Sequence, residues 1–449
     1  IRSLHRFSAD AAVVAIAVHA VRMLARGRSW GPRTLAWISG LVLTGIFFVI
    51  GWTGYVMVWD VHGQALAMEG ARFLDALPIF SVPVSRTFIG ERPLPGAVFF
   101  LNYFLHIALP LGIGLVLYIH VSRLARPTLM PPRRLTWTLT GLLTALAVFW
   151  PVPLGAPADP GRLPDTVILD WFYGFWMPVT RLMPGWAVWT AGGALALLAL
   201  LVPLLTRPRS DEVPRPSTVD HRLCTGCEQC FVDCPYEAIS MIPRDDDRPS
   251  LVADVDPALC VSCGICAGSC APMGVGPPER TGRDQLERVR SFVEERTPGA
   301  SRVVLVACAH GAGELGGLER FHDALVYPLS CAGNLHTSVV ELLLRGGAGG
   351  VMVAACPGRD CWNREGPRWT TERLFHDREA ELQARVDRRR VRLVYAGAGD
   401  RGPLARALAS FQAEVAALEP TDRDKDLEVD AECDVPEHEG LSLKSGIRT

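Results

Sequence analysis

Neither cysteine nor lysine occurs in the first 206 of the 449 residues, and all 13 cysteines follow residue 223. The first half therefore offers no thiol for a metal site, and any such chemistry belongs to the second. Charge of one sign is also lacking: the formal net charge is −2, with 49% hydrophobic residues. No basic patch marks a nucleic-acid surface. There is no phosphate-cradling glycine loop between a strand and a helix, and no hydrolytic triad. The GGAGG run at 346–350 precedes a strand, the wrong order for a dinucleotide site. The sequence thus shows no flavin or nicotinamide site of its own.

What the first half does contain is apolar length. Stretches at about 7–25, 34–58, 98–121, 135–154 and 186–205 each approach the ~20 residues needed to span a bilayer, which predicts five spanning helices. Pro110 is tolerable inside the third because neighbouring helices re-satisfy the freed backbone groups. The chain opens at Ile1 directly before an apolar stretch, so a further upstream segment is expected. Arg22, Arg26, Arg28 and Arg33 follow the first stretch, and Arg123, Arg126, Arg133 and Arg134 follow the third. Those loops read as cytoplasmic. The opposite loops hold Asp60, Glu69, Asp75, Glu91, Asp159, Asp165 and Asp170 and read as outer-face. Residue 207 then emerges into the cytoplasm through the Pro- and charge-rich RPRSDEVPRPS.

Four histidines lie in the apolar stretches with one repeated spacing: His5 and His19, then His106 and His120, each pair 14 apart. On a helix, 14 residues rise about 21 Å at nearly one azimuth, so two such helices would oppose two imidazole pairs, one near each face. That is the ligation two b-type haems need. The bland alternative is four polar residues at helix ends or lining a cavity. IRSLHRFSADAAVVAIAVHAVR and NYFLHIALPLGIGLVLYIH resemble the two haem-ligand helices of cytochrome b of the quinol:cytochrome c oxidoreductase family, with coverage from that family's second to sixth helices. The resemblance implies that Gly40 and Gly54 make room for the macrocycles and that Arg2 and Arg22 meet haem propionates; helix packing alone would also explain the glycines. It further implies a homodimer within a larger complex.

ILDWFYGFWMPVTRLMPG, at 168–185, resembles that family's PEWY region, with Leu169, Asp170, Trp171 and Phe172 at the four positions. This implies an outer quinone or menaquinone site where Asp170, beside Trp171, handles a proton; a solvated loop acid or a helix cap is the plain reading. GYVMVWD at 54–60 resembles GYVLPWG, with Val58 and Asp60 as departures. The inner quinone positions carry Ala125 and Thr138 in place of a histidine and an aspartate, so the outer site is favoured.

In the second half, Cys224, Cys227, Cys230 and Cys234 followed by Pro235 read C-x2-C-x2-C-x3-C-P, and Cys260, Cys263, Cys266 and Cys270 repeat the spacing. This is the bacterial two-cluster ferredoxin run, in which the fourth Cys of each set serves the other cluster. One 4Fe-4S cluster would take Cys224, Cys227, Cys230 and Cys270; the second, Cys260, Cys263, Cys266 and Cys234. C-x2-C pairs also make zinc ribbons, but two identical four-Cys runs fit iron–sulfur chemistry better.

After the amphipathic RDQLERVRSFVEER at 283–296, buried strands are predicted at 303–307, 324–330, 349–355 and 391–397, with helices near 338–345, 370–385 and 403–417. Cys308, Cys331 and Cys356 each fall just past a strand's carboxyl end, where ligands gather in such sheets, and Cys361 follows closely. VYPLSCAG and CPGRDCWNREG resemble the delta subunit of methyl-viologen-reducing hydrogenase, an iron–sulfur protein that partners heterodisulfide-reductase-type flavoproteins. The resemblance implies one 2Fe-2S cluster on these four thiols, although Leu305 stands where the family has another Cys. His310 and His336 are alternative ligands of a mixed site. Cys433 lies alone in a charged tail read as disordered or wrapped on a partner, and His62, His221 and His322 read as solvated.

The expectation is a multi-domain chain. It comprises an all-α cytochrome b-like membrane bundle (1–207), a linker (208–218), an α+β two-cluster ferredoxin domain (219–280), a linker helix (281–300), an α/β domain with a mostly parallel sheet (301–420) and a charged tail (421–449). Such a chain would carry electrons between a cytoplasmic flavoprotein of heterodisulfide reductase A type and quinone in the cell membrane, through 2Fe-2S, two 4Fe-4S and two haem b centres. Quinone reduction at the outer face is the favoured direction. An anchor and scaffold with a silent quinone site, or reverse flow from quinol, are the competing readings.

Overall fold

The computed structural model describes residues 1–418 apart from 78, 91–93, 123–125, 127–129, 163–169, 210–212, 247, 297–302, 314–323, 377 and 379. Glu91, Arg123, Ala125, Asp165, Leu169, His322, Cys433 and the charged tail lie outside the described residues. The chain divides into two compact units, Ile1–Pro214 and Arg215–Thr449.

The first unit contains α1 (Arg2–Ala25), α2 (Thr34–Val58), α3 (Val61–Asp75), α4 (Gly96–Ser122), α5 (Arg133–Phe149), α6 (Met177–Leu182) and α7 (Gly185–Leu205). Among the described residues four helices are long and apolar enough to cross a membrane: α1, α2 together with its leading turn, α4 and α7. The fifth expected span is shorter than its apolar stretch. α5 has 17 residues and stops at Phe149, because Pro151 and Pro153 cannot continue a helix. Its length of about 26 Å falls short of a ~30 Å hydrocarbon core. Pro110 and Pro203 sit inside α4 and α7. α2 packs along α4, and α1 along α5.

Asp60, a departure from the resembled motif, has a local structural role. α2 ends at Trp59 in a left-handed conformation, and Asp60 caps α3, accepting from His62 N–H at 3.1 Å and Gly63 N–H at 2.9 Å. Its other oxygen accepts from Gly155 N–H at 2.9 Å, which ties the 150s loop to the α2–α3 corner. α3 then buries Glu69 completely, and that carboxylate accepts from Arg181 (2.8 Å), Arg72 (3.1 Å) and Thr180 (3.1 Å). A buried acid is tolerated there because it is paired.

The second unit begins with two small antiparallel pairs. β1 (Thr218–Val219) pairs with β4 (Val275–Gly276), and β2 (Ile239–Ile242) with β3 (Val252–Val255); α8 (Gln229–Asp233) and α9 (Ile265–Ser269) complete this part. Next come α10 (Gly282–Glu295), β5 (Val303–Cys308), β6 (Leu325–Leu329), α11 (Thr337–Arg345), β7 (Gly350–Ala355), α12 (Gly366–Phe375), β8 (Val391–Tyr395) and α13 (Arg401–Ala416). The sheet order is β6-β5-β7-β8, all parallel. β5 and β7 are buried along their whole length, the continuous apolar run of a strand covered on both faces. Val304 and Val306 face the side of Val339, Val340 and Leu343 on α11, whereas Val303 and Leu305 face Leu404, Leu408 and Phe411 on α13.

Two expectations change here. The helix expected at 370–385 is Gly366–Phe375, displaced because Pro367 presets its first turn and Glu365 ends the preceding loop. The stretch read as a linker helix also buries Val289 in the sheet's core, with Leu286, Phe292 and Val293 packed around it. Its start is set by a capping box between Thr281 and Asp284.

Phe411 is fully buried against Met352 and Leu305. Phe411→Ala should lower the denaturant stability of the second unit by about 3–5 kcal/mol; an unchanged midpoint would remove it from the core.

Candidate metal centres

α1 and α4 bring the four histidines together as two pairs. The His5 and His106 ring centroids are 6.1 Å apart, and those of His19 and His120 are 6.4 Å apart. A metal–imidazole bond is about 2 Å, so two bonds in line plus two half-rings of about 1 Å span roughly 6 Å. The α4 rings are also oriented from behind. His106 Nδ1 lies 3.1 Å from Ile50 O and 3.1 Å from Thr53 Oγ1, and His120 Nδ1 lies 3.0 Å from Ser39 Oγ. Thr53 donates its own hydroxyl proton to Ile50 O (2.9 Å), and Ser39 to Leu35 O (2.8 Å). Each hydroxyl is therefore left to accept, which assigns the ring proton to Nδ1 and leaves Nε2 bare for a metal.

The glycines on α2 stand against the same rings. A Cβ on Gly54 would come 2.8 Å from His106 Cε1, and one on Gly40 3.4 Å from His120 Cε1. Arg2 occupies the first turn of α1, where it donates to Val152 O, and Arg22 the last. Paired imidazoles, with Nε2 of the two α4 rings left bare and a glycine of α2 against each, fit a flat macrocycle ligated by one imidazole on each face.

Asp170 sits in a polar corner at the His5 end of α1. It accepts from Arg6 Nη2 at 2.7 Å, from the Tyr55 hydroxyl, and from Phe172 N–H at 2.9 Å. Arg6 stacks 4.6 Å over the Tyr55 ring and also binds Asp10 at 3.1 Å. Sequence reasoning missed Arg6, Tyr55, Ser39 and Thr53. Arg6 had a readable signal, a charge inside an apolar helix. Ser39 and Thr53 had another, the same 14-residue spacing as the histidines, each directly before its glycine. Trp171 is 78% exposed and makes no hydrogen bond among the described residues, and Thr138 lies on α5.

In the ferredoxin-like part, Cys224, Cys227, Cys230 and Cys270 line one cavity, and Cys234, Cys260, Cys263 and Cys266 line another. Among the described residues, no three His, Cys, Asp or Glu side chains converge on a lone metal ion. The backbone repeats with the cysteines. Residues 226, 228 and 237 have positive φ, as do 262, 264 and 273, 36 positions later, although four of the six are not glycine. Left-handed residues between right-handed ones turn successive N–H groups toward a bound anion. Ala238 N–H donates to Cys234 Sγ (3.4 Å) and Gly274 N–H to Cys270 Sγ (3.3 Å), again 36 apart. Burial pushes the Cys266 thiol up to about 12 and raises Cys230 and Cys263 as well. Such thiols ionise only against a strong positive charge, and the N–H groups are placed to receive thiolates; the donor set fits a metal–sulfur cluster.

The four remaining described cysteines converge at the carboxyl ends of β5, β6 and β7. Cys308 and Cys356 Sγ are 3.5 Å apart, and a Cβ on Gly366 would lie 3.3 Å from Cys331 Sγ and 3.4 Å from Cys361 Sγ. All four are buried. Leu305 is in the strand interior on the α13 face, away from the strand end where the thiols gather. His336 is committed elsewhere: Nδ1 accepts from Ser338 N–H (3.2 Å), so Nε2 carries the proton and donates to Cys270 O (3.2 Å). His310 stacks flat on Trp362, with centroids 4.6 Å apart.

Residues 1–128 match the cytochrome b/b6/petB family, residues 223–274 the 4Fe-4S dicluster domain, and residues 303–419 the methyl-viologen-reducing hydrogenase delta subunit. The chain is 28% identical over 242 residues to the cytochrome bc1 complex cytochrome b subunit of Streptomyces coelicolor, covering 46% of this chain and 43% of that protein. It is 26% identical over 104 residues to the menaquinol:cytochrome c reductase cytochrome b subunit of Bacillus subtilis (23% and 46%). It is 30% identical over 133 residues to cytochrome b6 of Mastigocladus laminosus (29% and 62%). The chain thus spans roughly half the length of these relatives. Segments that match cytochrome b, dicluster ferredoxin and hydrogenase delta subunit families thus follow one another in the chain, and the first includes helices long and apolar enough to cross a membrane.

Burial, and then the nearby Arg373 charge, pull His336 from 6.5 down to about 4. The unfolded chain takes up a proton below pH 6.5 that the folded chain refuses until about pH 4. Stability should therefore fall as pH drops through that window, by up to about 3 kcal/mol. A pH series of denaturation midpoints checks this, and His336→Gln should flatten the slope between pH 6.5 and 4.

Proposed function

We propose that the protein is a membrane electron-transfer subunit linking a cytoplasmic flavoprotein of heterodisulfide reductase A type to the quinone pool, reducing quinone at an outer-face site. The observation that carries this reading is the pair of opposed imidazoles at each end of α1 and α4, in one chain with three thiol sites. His5 with His106 and His19 with His120 would hold two b haems. The crossed thiol sets would hold two 4Fe-4S clusters, and Cys308, Cys331, Cys356 and Cys361 one 2Fe-2S cluster. Bound there, these groups supply one-electron transfer, and the chain's own residues do the rest.

Ser39 and Thr53 keep the α4 imidazoles in the ligating tautomer. Gly40 and Gly54 leave a face open beside them, and Arg2 and Arg22 are placed to neutralise propionates at opposite ends of α1. Quinone reduction consumes two electrons and two protons, and Asp170, hydrogen-bonded to Tyr55 and Arg6, is placed to pass a proton to the quinone oxygen. With the clusters cytoplasmic, an electron moving outward across ~100 mV, negative inside, is favoured by about 2.3 kcal/mol. That bias supports quinone reduction over the reverse flow.

Pyridine haemochrome analysis should find two haems per chain, both reducible through the soluble donor, and one haem in His106→Leu. Haems that stay oxidised under the donor would leave the anchor-and-scaffold reading in place. Asp170→Asn should cut quinone turnover by about 100-fold or more with haem content unchanged; full turnover would remove Asp170 from the quinone site.

A further inference from the structure

Arg373, on α12, is one of the largest side chains buried to 1% exposure, and the electron path proposed above makes no use of it. Its Nη1 donates to Ser269 Oγ at 2.8 Å and its Nη2 to Gly333 O at 2.7 Å. Nε has no hydrogen-bond partner among the described residues. The one carboxylate within ion-pair reach among those residues is Asp233, at 3.9 Å. That carboxylate is already engaged by Arg378 and by the Ser269 hydroxyl at 2.6 Å. Two guanidinium groups thus share one carboxylate, and the inner one is shut away from water. Burial lowers Arg373 to about 10, so it remains charged at neutral pH.

Its surroundings belong to two thiol sites at once. Asp233 adjoins Cys234, α9 contains Cys266, and Gly333 lies in the turn that follows Cys331. Cys331 and Cys266 are both within electrostatic reach of the guanidinium, and Cys263 is within reach of Cys331. The two segments are in contact here: the Asn334 side chain donates from Nδ2 to Gly264 O at 2.9 Å. A buried cation without full compensation is expensive unless negative charge arrives nearby. Reduction of a thiolate-bound cluster adds such charge, and net charge and burial are what set cluster potentials.

We propose that Arg373 is a positioning residue whose fixed buried charge raises the reduction potentials of the Cys234/Cys260/Cys263/Cys266 site and the Cys308/Cys331/Cys356/Cys361 site together, coupling them as neighbours. The Cys224/Cys227/Cys230/Cys270 site, which meets the guanidinium through Ser269 next to Cys270 while Cys331 and Cys266 face it electrostatically, feels it less. The inference rests on the cluster assignment proposed above.

The test is an EPR-monitored redox titration of the detergent-solubilised full chain, with iron and sulfide counted and signals assigned by single Cys→Ser ligand variants. Arg373→Gln should lower the potentials of the two named sites and leave the third nearly unmoved, and Arg373→Lys should recover most of the loss. Asp233→Asn, which removes the counter-charge, should move the same two potentials upward. Arg378→Gln, on the partly exposed side of the pair, frees Asp233 to neutralise Arg373 and should move them downward, a check that survives if Arg373→Gln fails to fold. Loaded protein with no shifts, equal shifts at all three sites, or the same sign for Arg373→Gln and Asp233→Asn would overturn the role of Arg373 alone. Wild-type protein without iron and sulfide would overturn the cluster assignment and this inference with it.

Discussion

Desolvation is the constraint on which the other features depend. An imidazole in an apolar helix and a thiol in a dry cavity both lose water and are stable only with their polar atoms accounted for. The membrane unit meets this demand with α4 rings whose Nδ1 atoms meet hydroxyls and a carbonyl on α2. The second unit meets it with backbone N–H groups turned onto sulfur. The same logic accounts for Glu69 and Asp233, buried acids that persist because arginines reach them.

Much of the architecture was legible because its signals are periodic. The 14-residue histidine spacing and the doubled four-cysteine run are integer patterns tied to helix pitch and cluster geometry. The four strands of the parallel sheet announced themselves as short runs of β-branched residues, and the structure has them within a residue or two of their expected bounds. The misses have physical causes. α5 is cut short by prolines inside an apolar stretch, which a composition window averages away. α12 starts early because Gly366-Pro367 is a start signal that outweighs the weak amphipathicity downstream. The hydroxyls of Ser39 and Thr53, the charge of Arg6 and the guanidinium of Arg373 act through neighbours far along the chain, and local pattern does not report such partners.

The duplicated half-sites also explain why backbone strain is accepted in this chain. Glu228, Glu237, Ser262 and Met273 all adopt left-handed conformations that cost a side-chain-bearing residue roughly 1 kcal/mol each. Their recurrence at the 36-residue offset means that the conformation, more than the side chain, is what each position supplies. A loop that spends stability to aim its N–H groups is organised around what those groups bind.

The hydroxyl contacts from α2 carry a mechanical consequence. Pro110 interrupts the hydrogen-bond ladder of α4 between His106 and His120, one turn beyond His106, the place where a helix bends most easily. Thr53 holds α4 above that weak point and Ser39 holds it below, and both belong to one uninterrupted helix. α2 therefore acts as a splint across a joint. The two imidazoles of α4 keep a common alignment because a neighbour stiffens the helix that bears them.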